Sequence, residues 1–330
     1  MLVALLLSVM PAVAADKDSF FQNSIADFKN SNIEFQRGQS QVPFFAIAAL
    51  GGKYYADFEL EGASSNDIAE RGGSALITYD IDSFFQYAGL PILLDDNNVL
   101  IIGEYVARTD FNTDTQGYDS FYVQSLGLPV GWLQQASDNW QLGGFVMPLG
   151  HYSSQENSDW SWQVMGGAFS RYVQTDNLWW AFGLYVDITP DDNTYLPYIG
   201  ASWAMNNHWT LSAIMPWPAI LYAPNDDWLF RLGAAPSGAS WRIHATADTG
   251  PIAAGNADEL NVGINFDAWD FGASIERRMF DNIWLGFNAG IGGLRGLRFS
   301  GGDWKGTEFD VSSSPYIGLN LNYRPSVEDD

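Results

Sequence analysis

Between Asn177 and Trp217 the chain alternates apolar residues with small or polar ones, three times over. Leu178, Trp180, Phe182, Leu184, Val186 and Ile188 take every second position, with Asn177, Ala181, Gly183, Tyr185 and Asp187 between them; Trp179 breaks the pattern. Tyr195, Pro197, Ile199, Ala201, Trp203 and Met205 repeat it against Gly200, Ser202, Ala204 and Asn206. After Asn206-Asn207 it returns in Trp209, Leu211, Ala213, Met215 and Trp217. A period of two belongs to strands with one apolar face, and three such runs joined by turn residues make an antiparallel meander. The second face decides what kind. A soluble sandwich shows charge to water, whereas this face is mostly Gly, Ala, Ser and Asn. Large aromatics crowd the apolar face near strand ends. That combination fits a wall with lipid outside and a polar interior.

The expected fold is therefore all-β: a single antiparallel up-and-down transmembrane β-barrel. The same alternation continues downstream. Trp228 to Ala234, Trp241 to Ala247, Leu260 to Phe266, Phe271 to Met279 and Ile283 to Ile291 each place apolar residues at every second position and read as separate strands. Upstream, Val42 to Leu60 reads as a strand region with a kink or turn at Gly51-Gly52, Ala75 to Ile81 alternates, Val99 to Phe111 alternates less cleanly, and Tyr118 to Leu133 reads as a mixed strand with a bend at Gly127, Pro129 and Gly131. Across the downstream strands the apolar face carries one charge, Arg277. It falls near a turn, where a long side chain reaches the headgroups.

Six turns share one form: Asp95 to Asn98, Ser137 to Trp140, Thr175 to Asn177, Asn206 to Trp209, Asn225 to Trp228 and Asp281 to Trp284. Asn and Asp tolerate positive φ and bond their own backbone, which suits tight turns. Tryptophan follows in five of them, and in a barrel it belongs at the lipid–water interface. These turns are expected on one rim, read as the periplasmic one, with Trp140, Trp180, Trp209, Trp228 and Trp284 in an aromatic girdle. Turns on one rim enclose an even number of strands, so Pro216-Trp217-Pro218 has to reverse the chain. The count comes to about 16 strands, with about 12–14 as the alternative.

Composition narrows the function. Fifteen Lys and Arg against 39 Asp and Glu give a net charge of −24, which disfavours nucleic acid. A hydrophobic content of 47% excludes a disordered acidic chain. Cysteine is absent, and a wall closed by backbone hydrogen bonds needs none. Leu2 to Met10 is apolar and Ala12-Val13-Ala14 is small, so residues 1–14 read as a signal peptide cut ahead of Ala15, although no Lys or Arg precedes the apolar run. Residues 15–41 read as a periplasmic lead-in, partly helical, 42–324 as the barrel and 325–330 as an acidic tail.

The chain end Tyr316-Ile-Gly-Leu-Asn-Leu-Asn-Tyr323 resembles the assembly signal of outer-membrane barrels, with Arg324 to Asp330 following the aromatic where that signal usually ends the chain. With Leu196-Pro197-Tyr198-Ile199-Gly200, Pro216, Pro218 and Tyr222, about two thirds of the chain resembles a family of porin-like Gram-negative outer-membrane barrels of unassigned function. The resemblance implies an outer-membrane location. It also implies contact with outer-membrane lipid and lipopolysaccharide and delivery by the barrel assembly machinery. It supplies no catalytic residues.

The leading functional expectation is a channel passing small solutes through a polar lumen. Arg231, Arg242, His244, Asp267, Glu276 and Arg278 are the candidate lumen lining, since opposed charges in a pore select polar solutes. A closed structural or adhesion barrel acting through acidic loops is the alternative. A lipid-modifying hydrolase is the second alternative, with His151 beside Ser153 as its only suggestive pair. No cofactor motif is present, and the acidic loops lack calcium-loop spacing, so neither cofactor nor metal is expected.

Overall fold

The computed structural model describes residues 20–33, 42–43, 46–61, 77–114, 120–155, 158–189, 193–245, 260–300 and 308–324. The expected signal peptide and acidic tail lie outside them. Among the described residues one helix, α1 (Phe20–Lys29), precedes sixteen strands. These are β1 (Ala48–Glu61), β2 (Ile77–Asp95), β3 (Asn98–Asn112), β4 (Phe121–Gly127), β5 (Val130–Gln135), β6 (Trp140–Ser153), β7 (Ser161–Thr175) and β8 (Leu178–Ile188). They continue with β9 (Asn193–Ala204), β10 (Trp209–Met215), β11 (Ala219–Asn225), β12 (Trp228–Ala245), β13 (Leu260–Phe280), β14 (Ile283–Ser300), β15 (Glu308–Val311) and β16 (Ser314–Tyr323). Each pairs antiparallel with its neighbour, and β16 pairs with both β14 and β1, so the sheet closes on itself.

The sixteen strands occupy fourteen positions in the wall. β4 and β5 share one position between β3 and β6, broken at Leu128-Pro129, where proline has no N–H for the ladder. β15 and β16 share another between β14 and β1. Pro216-Trp217-Pro218 does reverse the chain, between β10 and β11. The count of sixteen is met by a different set of segments from those expected: 228–245 and 260–280 are each one strand, not two.

All six short turns lie on one rim, together with both ends of the barrel. Their chemistry is the expected one in part. Asp95 accepts from Asn97 N at 2.8 Å, Asn206 from His208 N at 2.9 Å and Asn225 from Asp227 N at 3.0 Å. At two turns a hydroxyl does this work instead: Ser137 accepts from Trp140 N, and Thr175 from Asn177 N.

Exposure follows the alternation through the middle of the wall. Phe182, Leu184, Ile199, Leu232, Ile317 and Leu319 point outward, while Ala181, Ser202 and Thr210 are buried inward. Close approach of strands requires glycine at Gly200, whose φ is +152° and where a Cβ would strike the Ala213 carbonyl of β10. Replacing Gly200 with alanine is expected to lower stability by about 1–3 kcal/mol through backbone displacement, read as an earlier urea midpoint for a barrel in lipid vesicles.

The wall is uneven in height. β13 has 21 residues and β2 has 19, against 7 each in β10 and β11. A tilted strand crosses hydrocarbon in about 9–11 residues, so the run β12–β13–β14–β15–β1–β2–β3 stands beyond the bilayer at the rim opposite the short turns. There the faces exchange roles. Tyr79, Ile81, Ile264 and Phe266 are buried inside, while Asp82 and Asp267 face out. The alternation read from sequence places Tyr79, Ile81, Ile264, Phe266 and Trp241 on the lipid side. Beyond the membrane the outer face meets water, and the apolar set turns inward as in a soluble protein.

Two bulges refine this interior. One between Tyr55 and Phe58 lets both rings enter the lumen from β1. The other, at Leu294 with φ 47°, shifts the inward set of β14 from Gly292 to Arg295.

Candidate functional site: the lumen

Side chains from wall positions that are not neighbours meet across the lumen in an aromatic layer. Phe111 of β3 stacks on Phe121 of β4 at 4.7 Å, and both rings contact Trp241 of β12, at 5.4 and 5.5 Å. Phe266 of β13 closes on Phe111 at 6.0 Å and on Phe58 at 6.1 Å. Trp241 is 2% exposed, and its indole N–H donates to Gln155 Oε1 at 2.9 Å. The rings leave a cavity of about 20 Å³ lined by apolar side chains alone. A space of that size holds about one water, and its lining offers such a water nothing to bond.

A polar network lies against this layer, on the side of the short-turn rim. Asp270, 4% exposed, accepts from Lys53 Nζ at 2.7 Å, Tyr55 Oη at 2.7 Å and Ser237 Oγ at 3.1 Å. The Arg295 guanidinium lies over the rings of Tyr55 and Phe58, at 4.8 and 5.4 Å, and donates to Ser314 Oγ at 2.6 Å. Closer to the short-turn rim, Glu276 accepts from Asn322 Nδ2 at 3.0 Å and from Arg324 at 2.9 Å.

On the other side of the lumen, four inward side chains form one line. Ser125 Oγ lies 2.8 Å from His151 Nδ1, His151 Nε2 lies 2.6 Å from Gln163 Oε1, and Gln163 Nε2 lies 2.6 Å from both Asp187 oxygens. At the short-turn mouth, α1 packs against the inner wall. Ser24 Oγ donates to the Pro91 carbonyl at 2.6 Å. Phe28 and Ile33 join inward Val99 and Leu133, with Phe169 against them. Phe28 of the lead-in therefore packs inside the barrel mouth, while Phe20 stays exposed.

Of the residues selected from sequence, Arg231, Glu276 and Arg278 lie on the inward face. Arg278 sits at the rim and pairs with Asp227 at 2.7 Å. Asp267 is corrected: it faces out, paired with Arg298 at 2.6 Å. Arg242 is also corrected. It alternates with buried Trp241 and so falls on the outer face of β12. The side chain of His244 lies outside the described residues. In the girdle, Trp140, Trp180 and Trp209 are 41%, 39% and 41% exposed. Trp228 lies in the outward set, with Arg277 over its ring at 5.1 Å. Trp284 is corrected: it is 3% exposed and points inward, packed with Leu229 and Ala223. Its neighbour Leu285 takes the outward place, as the alternation of β14 demands. Trp179, the break in the opening pattern, also faces inward, beneath the Arg171 guanidinium at 4.4 Å.

Sequence reasoning missed Lys53, Tyr55, Asp270 and Arg295. The available signal was a change of phase. Apolar residues occupy even positions to Phe266 and odd ones from Phe271, with only Asp267 to Asp270 between them. His151 was expected at a loop beside Ser153. It lies within β6 and bonds Ser125 instead.

One outward group runs against the belt. Glu104, midway along β3, faces out and accepts from Gln86 Nε2 at 2.9 Å. Replacing both with leucine is expected to raise stability in vesicles by about 1–2 kcal/mol, the cost of a carboxylate against hydrocarbon. An unchanged urea midpoint would mean that this face does not meet lipid.

No protein-family model matches the chain, and no curated protein matches it. Solved structures do. A Pseudomonas aeruginosa FadL homologue is similar at a TM-score of 0.43 and 12% identity, over 84% of this chain and 90% of that one. An outer membrane channel from Pseudomonas putida F1 is similar at 0.38 and 11%, over 84% and 96%. The translocator domain of the autotransporter NalP from Neisseria meningitidis is similar at 0.30 and 9%, over 92% of each. The likeness is one of barrel architecture. A closed wall, an outward apolar belt and buried charge within identify the chain as a closed, antiparallel, up-and-down transmembrane β-barrel.

Proposed function

We propose that this barrel is a gated outer-membrane channel for small polar solutes. In the state described here the aromatic layer closes it at one level and α1 narrows its mouth. The observation that carries this reading is the under-satisfied polar interior. Arg295 Nε and Asn288 Oδ1 are buried, face the lumen and have no partner among the described residues. A dry core seldom leaves such atoms unbonded, whereas water in a lumen satisfies them at little cost. Arg231 and Glu276 add opposed charge to the same interior, which favours polar solutes over apolar ones. The aromatic layer is a natural gate, because its rings pack mainly by dispersion, with one indole hydrogen bond to Gln155, and separate without breaking an ion pair.

Planar-bilayer recording tests this. Brief, infrequent current steps are expected from the wild-type protein. A folded barrel that stays silent even when the ring layer is removed would support the closed structural barrel instead.

A further inference from the structure

The line Ser125–His151–Gln163–Asp187 carries information that the channel reading does not use. Ser125 and His151 are directly opposed across the β4–β6 pair. His151 is 5% exposed and Gln163 8%, while Ser125 is half-buried. The proton positions follow from one end of the line. A carboxylate only accepts, so the Gln163 amide must turn its NH₂ to Asp187. Its Oε1 then faces His151, which must place its ring proton on Nε2. Nδ1 is left bare, 2.8 Å from the Ser125 hydroxyl, and accepts its hydrogen bond. The half-buried carboxylate thus fixes, through one amide, the tautomer in which histidine draws on a serine proton.

We propose that Ser125 is an activated nucleophile, with His151 as its general base, acting on small uncharged carboxylic esters that enter the lumen. The Ser125 proton passes to His151 Nδ1 as Oγ bonds to the ester carbonyl carbon. The C–O bond to the leaving group breaks, and His151 returns the proton to the departing alkoxide. Water, deprotonated by the same nitrogen, then attacks the acyl-serine, releases the carboxylic acid and restores the Ser125 hydroxyl. Gln163 and Asp187 are positioning residues that act through His151. The lumen favours an uncharged ester, because the inner wall around Ser125 presents Val123, Leu149 and Met147.

The test uses full-length barrel in detergent, with p-nitrophenyl acetate as the probe and heat-modifiable gel migration as the check on folding. The wild-type protein is expected to release p-nitrophenolate and to carry one acetyl group on the peptide containing Ser125. Ser125→Ala is expected to abolish the label. His151→Ala is expected to slow acylation by about 100-fold or more. Asp187→Asn, which frees the Gln163 amide to flip, is expected to lower the acylation rate constant by about tenfold without changing the half-saturating ester concentration or the gel shift. A purely structural network predicts no such split. A folded wild-type barrel without acetyl on Ser125 overturns the proposal, as does Ser125→Ala releasing p-nitrophenolate at the wild-type rate. Neither result bears on conductance, so this inference and the channel reading fail separately.

Discussion

Replacing Trp241 and Phe111 together with alanine is expected to turn a mostly closed barrel into a frequently conducting one. These two rings bridge β12 to β3 across the lumen, 5.4 Å apart, and Phe121 and Phe266 pack on both sides of them. Removing them leaves a gap where the layer was thickest. The Gln155 oxygen then loses its indole donor and turns to water. Each truncation alone should cost about 3–5 kcal/mol of stability, since each deletes a buried ring from a packed layer. The closed wall does not depend on these rings, because every strand of it is hydrogen-bonded to two neighbours. Folding should therefore survive in lipid, with a lower urea midpoint, while single-channel open probability rises at least tenfold. The control is Trp140→Ala at the lipid interface, which should leave conductance at its wild-type level. Equal open probability in the double variant and the wild type would show that the layer is not the gate.

The second large effect is expected at Asp270. Its carboxylate is 4% exposed and receives Lys53, Tyr55 and Ser237, with the Arg295 guanidinium close to the same rings. Asp270→Ala removes the only one of these groups that carries negative charge. It leaves Lys53 inside the barrel without its 2.7 Å partner and Arg295 without a compensating charge nearby. Breaking a fully buried pair by deleting one member typically costs about 3–5 kcal/mol, and since Lys53 is 28% exposed and keeps some water, a loss at the lower end of that range is expected. Urea unfolding in vesicles should show a loss of that size. Replacing Asp270 and Lys53 together should recover part of it, since the stranded ammonium is gone. The exposed outer pair of Asp267 and Arg298 serves as comparison. Asp267→Ala should move the midpoint by no more than about 1 kcal/mol, the usual range for a solvated ion pair. Equal losses at Asp267 and Asp270 would contradict the inward placement of the Asp270 network.

Glu276 behaves as a smaller version of the same arrangement. It was selected from sequence for its inward parity, and its partners Arg324 and Asn322 come from the end of the chain. The pair joins β13 to the terminal strand across β14. The seven residues after Tyr323 thus begin with a side chain that anchors the closing strand.

What the sequence alone determined is the type of wall. Period-two alternation with a small, amide-rich second face, six short turns of common chemistry and a Pro-Trp-Pro reversal define an antiparallel barrel in lipid. They also place Trp140, Trp180, Trp209 and Trp228 outside. These features are local: each is set by neighbours two residues away or within one turn. The tertiary structure alone decided which face is which at the tall rim. At residues 234–241 and 266–271 the apolar phase slips by one place, with no turn between. The sequence reads such a slip as a strand boundary, and the rule that turns on one rim enclose an even number of strands cannot object. Two strands and four are both even. In the folded protein the slip marks where one long strand leaves hydrocarbon for water, so that Trp241, Ile264 and Phe266 turn inward and Asp267 turns out. The solvent outside the wall reverses there while the backbone runs on unbroken. Which solvent a residue meets depends on the height of the whole barrel, a quantity that no window of alternating residues contains.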